Sequence, residues 1–286
     1  MHRAQKLVLF GILAVGASAA SFSGEAAMKD AQTAVGFGRR YSGSQANTQL
    51  QQYILKELRA IKGAQVSEDA FTATTPRGPV AMRNILAKFP GTSGKGIAVS
   101  GHFDSKDMPG FVGANDGASS TGVLLELARS LAGQARVDDV WIVFFDGEEA
   151  FGDWSDTDKL YGSRHLAQVW KNNGTAGKLK ALINVDMIGD KDLNILQDTS
   201  SNRQLRSLVW KAAADLGYSR NFTNDAEQMD DDHMPFVQIG VPSLDLIDFD
   251  YPAWHTPADT LDKLSPQSLR IVGEVVSESI RRLERP

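Results

Sequence analysis

The chain has 286 residues, 42% of them hydrophobic and 23% charged, a balance that fits one globular α/β unit with elaborated loops. A formal charge of −5 gives no sign of the basic patch that nucleic-acid binding leaves, and it is equally poor support for attachment to an anionic membrane surface. Cysteine is absent, which excludes disulfides, thiolate ligands and a cysteine nucleophile, so any metal has to be held by His, Asp and Glu.

The first segment reads as an export signal rather than as part of the fold. His2, Arg3 and Lys6 make a basic start, residues 7–15 are almost wholly apolar, and Ala17-Ser18-Ala19 offers a cleavage site. The apolar run falls short of the roughly 20 residues of a membrane helix. A signal over 1–19 and one folded domain over 29–286 are therefore expected. The product would be secreted or periplasmic, with no stable membrane association after cleavage.

Apolar residues recur at helical intervals from Ala31 to Ile61, broken near Gly43, with Leu50, Tyr53, Ile54 and Leu58 on one face. Residues 66–73 and 80–89 predict strands on either side of the turn Pro76-Arg77-Gly78-Pro79. Short core strands are predicted at 97–100, 140–145, 182–185 and 244–247, the second continuously apolar as in a strand covered on both faces. Helices are predicted through 123–131, 202–216 and 266–283. This alternation predicts a single-domain α/β fold, a mostly parallel or mixed central sheet flanked by helices on both faces.

Each core strand is followed by polar groups. Residues 97–100 lead to His102 and Asp104, and 140–145 to Asp146, Glu148 and Glu149. Residues 182–185 lead to Asp186, and 244–247 to Asp248 and then His255; Asp116 lies just before the helix at 123–131. The carboxyl ends of strands border the ligand crevice of an open α/β sheet, so one crevice is expected to collect several carboxylates and two imidazoles. Taken singly, Asp116 reads as well as a helix cap, and Glu148-Glu149 as a solvated pair. Taken together, like charges at close range need a neutralising partner, and a divalent cation provides one.

At these residues the chain resembles a known family. Gly101-His102-Phe103-Asp104-Ser105, Gly113-Ala114-Asn115-Asp116, Asp146-Gly147-Glu148-Glu149, Val185-Asp186-Met187 and Trp254-His255-Thr256 stand in the order seen in zinc-dependent aminopeptidases. Three features resemble the glutaminyl cyclase branch. They are the long segment from Glu149 through Trp154 to Tyr161-Gly162-Ser163-Arg164-His165, the run Asp231-Asp232-His233, and Phe103-Asp104-Ser105-Lys106. Two features depart from it: residues 255–264 would sit as well in an aminopeptidase, and the disulfide frequent in secreted animal cyclases is missing.

The resemblance implies a zinc aminopeptidase-like fold and the cyclisation of N-terminal glutamine on peptides or proteins to pyroglutamate. Asp116, Glu149 and His255 would hold one zinc ion, and Glu148 would be the general acid/base. Asp186 and Asp231 would share its protons, and Trp154 and Trp254 would wall the pocket. In two-metal aminopeptidases His102 binds a second zinc, with Asp116 bridging and Asp186 completing the site, so one ion or two remains open. His165 and His233 are expected to be structural. The alternatives are an exported di-zinc aminopeptidase and a non-catalytic binding module on the same fold.

Overall fold

The computed structural model describes residues 22–285; the signal expected over 1–19 lies outside them. Side-chain oxygens start four of the helices. Ser23 caps α1 (Gly24–Gly36), Ser44 caps α2 (Gln45–Arg59), Asn202 caps α5 (Arg203–Asp215) and Ser265 caps α7 (Pro266–Leu283), each accepting from a first-turn amide. The remaining helices are α3 (Ala118–Ser130), α4 (Tyr161–Asn172) and the short α6 (Met234–Gln238). The packed chain thus begins ahead of residue 29, with Phe22 buried against Gly273 of α7.

Strands β1 (Gln65–Thr75) and β2 (Gly78–Phe89) make a long hairpin around Pro76-Arg77 alone, tighter than the four-residue turn expected. With β3 (Gly96–His102), β4 (Asp139–Phe145), β5 (Leu179–Asp186) and β8 (Ser243–Ile247) they form one mixed sheet in the order β1-β2-β4-β3-β5-β8. β1, β2 and β4 pair antiparallel, whereas β4, β3, β5 and β8 run parallel. Every residue of β3 and of β8 is buried, as a strand covered on both faces requires. A separate two-stranded parallel sheet, β6 (Ile195–Asp198) with β7 (Phe222–Glu227), stands beside it.

The larger core joins one face of the sheet to α1, α2, α3, α5 and α7. The smaller sets Leu166 and Trp170 of α4 and Phe236 of α6 against Ala98, Val143, Phe145 and Leu182. Gly122 lets α3 approach α1 closely, since a Cβ there would lie 2.2 Å from the Ala27 carbonyl oxygen. Among the described residues no helix is long and apolar enough to cross a membrane.

Two strands run further than their apolar residues suggest. β3 ends on His102 and β5 on Asp186, so these polar groups belong to the strands and are fixed by sheet pairing. α4 was not expected. It starts at Leu160 in a left-handed conformation, without a side-chain cap, so no capping residue marks it in the sequence.

Candidate metal centre and catalytic site

The parallel strands deliver their polar groups to one end of the sheet. There a cavity of about 520 Å³ is lined by Asp116, Glu148, Glu149, Asp186, Asp231 and His255, with Lys106, Trp154, Phe249 and Trp254 on its walls.

Asp116, Glu149 and His255 converge. The His255 Nε2 lies 3.4 Å from Asp116 Oδ2 and 3.3 Å from Glu149 Oε1. Both carboxylate oxygens are buried without a hydrogen-bonding donor. Ligand atoms held about 2.0–2.1 Å from a tetrahedral zinc lie about 3.3–3.4 Å apart, so the two distances from His255 match those of a shared cation, and all three donor atoms lie within 4.8 Å of one another. His255 is held in a left-handed backbone conformation, φ 50°, that non-glycine residues rarely adopt. Trp254 stacks on its ring at 4.4 Å. Asp116 is not a helix cap, because Gly117 occupies the N-cap position of α3 and no side chain caps it.

His102 forms a second group with Asp116 and Asp186 whose donor atoms also converge. Here the atoms satisfy one another: His102 Nε2 hydrogen-bonds Asp186 Oδ1 at 3.0 Å and sits 3.2 Å from Asp116 Oδ1. Burial alone would lower the His102 pKa. The Asp186 charge and the hydrogen bonds to Asp104, Asp116 and Asp186 instead hold it well above the usual imidazole value. Asp104 has a different task, accepting the backbone amides of Glu148 and Glu149 at 3.2 and 3.3 Å.

Glu148 is buried between these groups, its Oε2 3.9 Å from His102 Nδ1. Burial, with the charges of Glu149, Asp231 and Asp232, pushes its carboxyl well above the ordinary range against the opposing His102. Burial likewise lifts Asp186 to about 7, and it raises Asp231, so all three carboxyls hold protons more readily than free ones. Asp231 accepts from Asn184 Nδ2 at 3.2 Å.

Two residues expected at the crevice do not enter it. Asp146 turns away, accepting from Ser42, Asn47, Gln51 and the Arg83 amide, and so anchors the Glu148 loop to the start of α2. Asp248 accepts the Asn194 amide beside a separate polar cleft. His233 is buried against Asp198 and Ser200, and His165 stacks on Phe71 at 4.2 Å while bonding Asp69; neither lines the cavity. Sequence reasoning missed Arg40. It is fully buried and binds the carbonyls of Val112 and Gly113 at 2.6 and 2.8 Å, just before Asp116. Burial pulls its pKa down to about 10, which leaves it charged beside Asp116, Asp259 and Asp104.

Trp154 and Trp254 are 40% and 41% exposed and border the cavity. The long segment after Glu149 is folded on Asp158, whose carboxylate accepts the amides of Phe151 and Gly152 and the Tyr161 hydroxyl. Its tip is latched across the cavity: Trp154 Nε1 donates to Asp230 at 3.1 Å, and Lys159 pairs with the same carboxylate. Replacing Asp230 by Ala should free this wall. The expected result in steady-state kinetics is KM raised roughly 3- to 10-fold, the worth of one such hydrogen bond, with kcat within about twofold.

The family model described as peptidase family M28 matches residues 84–280. A glutaminyl-peptide cyclotransferase-like protein of Mus musculus is 31% identical over 83% of this chain and 70% of its own length. The crystal structure of an Acidobacteriales bacterium glutaminyl cyclase superposes with a TM-score of 0.90 at 38% identity, covering 98% of this chain and 99% of the other. That of a Zn-dependent exopeptidase from Parabacteroides distasonis gives 0.83 at 26% identity, over 94% and 100%. The chain therefore belongs to peptidase family M28, and within it is a homologue of the glutaminyl-peptide cyclotransferases.

Proposed function

We propose that this protein cyclises the N-terminal glutamine of peptides and proteins to pyroglutamate and releases ammonia, using zinc held by Asp116, Glu149 and His255. One observation carries the site assignment: three convergent donor atoms, with His255 at metal-site distances from two buried carboxylate oxygens that have no donor, on the wall of a cavity that also presents Glu148. Bound there, zinc supplies Lewis-acid polarisation of a carbonyl oxygen and stabilises the negative charge that develops on it.

The protein's own groups do the rest. Trp154, Trp254 and Phe249 enclose the glutamine side chain so that its Cδ folds back onto the α-amine, which makes the attack intramolecular. The bond from the α-nitrogen to Cδ forms and the bond from Cδ to the amide nitrogen breaks. Glu148 takes the proton from the attacking nitrogen and returns it to the departing one. Asp186 and Asp231, both buried and facing the cavity, stabilise the two protonation states of Glu148. The signal read over 1–19 supports a secreted or periplasmic place of action.

A di-zinc aminopeptidase is the competing reading, favoured by the second group of His102, Asp116 and Asp186. In that group His102 Nε2 is already engaged by Asp186, although its Nδ1 has no partner, whereas the first group leaves two carboxylate oxygens unsatisfied, which supports an ion in the first. A Gln-initiated dipeptide separates the two. The expected products are one ammonia and an intact, cyclised peptide by mass spectrometry, with turnover abolished by a zinc chelator. Free glutamine and a shortened peptide would establish the aminopeptidase instead.

A further inference from the structure

We infer that Asp259 is a positioning residue that pins the loop bearing Asp116 to the loop bearing His255, and that it thereby sets the affinity of the metal site. This rests on the assignment of Asp116 and His255 as ligands.

Asp259 is fully buried and follows His255 by one turn of chain, within the segment that carries no cyclase signature. Its carboxylate works as a fork. Oδ1 accepts the Asn115 amide and the Tyr251 hydroxyl, each at 2.8 Å, and Oδ2 accepts the Asp116 amide at 3.1 Å. Two consecutive amides on one carboxylate leave the Asn115–Asp116 peptide little rotational freedom.

The loop needs such a constraint. Gly113 and Gly117 both have left-handed φ, 54° and 87°, and α3 begins without a side-chain cap. Its shape is therefore set from outside. Arg40 holds the carbonyls of Val112 and Gly113, and Asn115 bridges to the Met187 carbonyl and the Gly189 amide. Of these clamps, Asp259 is the one that lies on the same segment as His255.

The choice of side chain is informative. A buried carboxylate beside Asp116 adds like-charge repulsion. Asparagine would fill the same space without the charge, but it has one acceptor oxygen where three donors converge. The position keeps the costlier group because both oxygens have to accept. Groups that orient metal ligands typically govern affinity by about 10–100-fold when removed.

The test compares Asp259→Asn with Val209→Ala, a truncation in the core of α5 remote from the cavity. Each protein is stripped, titrated with zinc against a chromogenic chelator, and melted without metal. Asp259→Asn should bind zinc roughly 10–100-fold more weakly, whereas Val209→Ala should lose thermal stability and keep wild-type affinity. Tyr251→Phe removes one donor and leaves both amides engaged; it should weaken zinc by roughly 2- to 10-fold and carries the test should Asp259→Asn fail to fold. Wild-type affinity in Asp259→Asn, or in Tyr251→Phe when it stands in, would overturn the inference, as would an equal loss in Val209→Ala. A wild-type protein that binds no zinc would overturn the ligand assignment and this inference with it.

Discussion

Glu148→Gln should abolish turnover while zinc content stays at the wild-type level. Gln keeps the shape of the side chain and can still fill its buried place beside Glu149, but it cannot accept the proton of an attacking amine. General acid/base assistance is typically worth about 10²–10⁴-fold, and a fall of that size in kcat is expected with KM little changed. Glu148 does not belong to the three convergent ligands, so metal analysis of the purified variant should match the parent. The fold should also hold, because the Glu148 amide, not its side chain, carries the contact to Asp104. A variant turning over near the wild-type rate would remove Glu148 from the mechanism.

His255→Ala is expected to lose metal and activity together. On the proposed assignment the imidazole is one of three ligands, and without it Asp116 and Glu149 would be left as two buried carboxylates with no nitrogen between them. Loss of a direct ligand should weaken zinc by at least about 100-fold, the upper end of what an outer contact costs. Melting with and without zinc gives a second readout. A ligand that binds only the folded state at 100 times its Kd adds about 2.7 kcal/mol of stability. Zinc should therefore raise the Tm of the parent and leave that of His255→Ala unmoved. Equal zinc-dependent shifts in the two proteins would place the metal elsewhere.

Most of the central fold was legible in the chain because its strands are short apolar runs with unambiguous neighbours. Residues 140–145 and 266–283 differ from the observed β4 and α7 by at most one residue at an end. What escaped notice lacks those signals. α4 has an amphipathic period in Leu166, Ala167 and Trp170 but begins without a capping side chain to mark its start, and β7 is largely exposed and polar, so hydrophobic period does not betray that strand. The rule that polar groups follow strands brought Glu148, Glu149, Asp186 and His255 to one cavity, where Asp116 joins them from just ahead of α3. It failed for Asp146 and Asp248, since a strand end specifies where a residue lies but not where its side chain turns. Arg40 was hidden for another reason: its partners are backbone carbonyls some 70 positions away, and no spacing in the sequence encodes them.

Arg40 and the residues after it tie the beginning of the fold to the middle of the site. The segment between α1 and α2 holds the Asp116 loop through Arg40 and, together with Asn47 of α2, the Glu148 loop through Ser42 on Asp146. His255, by contrast, arrives near the end of the chain. On the proposed assignment, a partly synthesised or unfolded polypeptide would not bring Asp116, Glu149 and His255 together, unlike a small zinc module that folds around its ion. A chain threaded through a membrane before it folds would then have to take up its metal on the far side, from whatever supply that compartment offers.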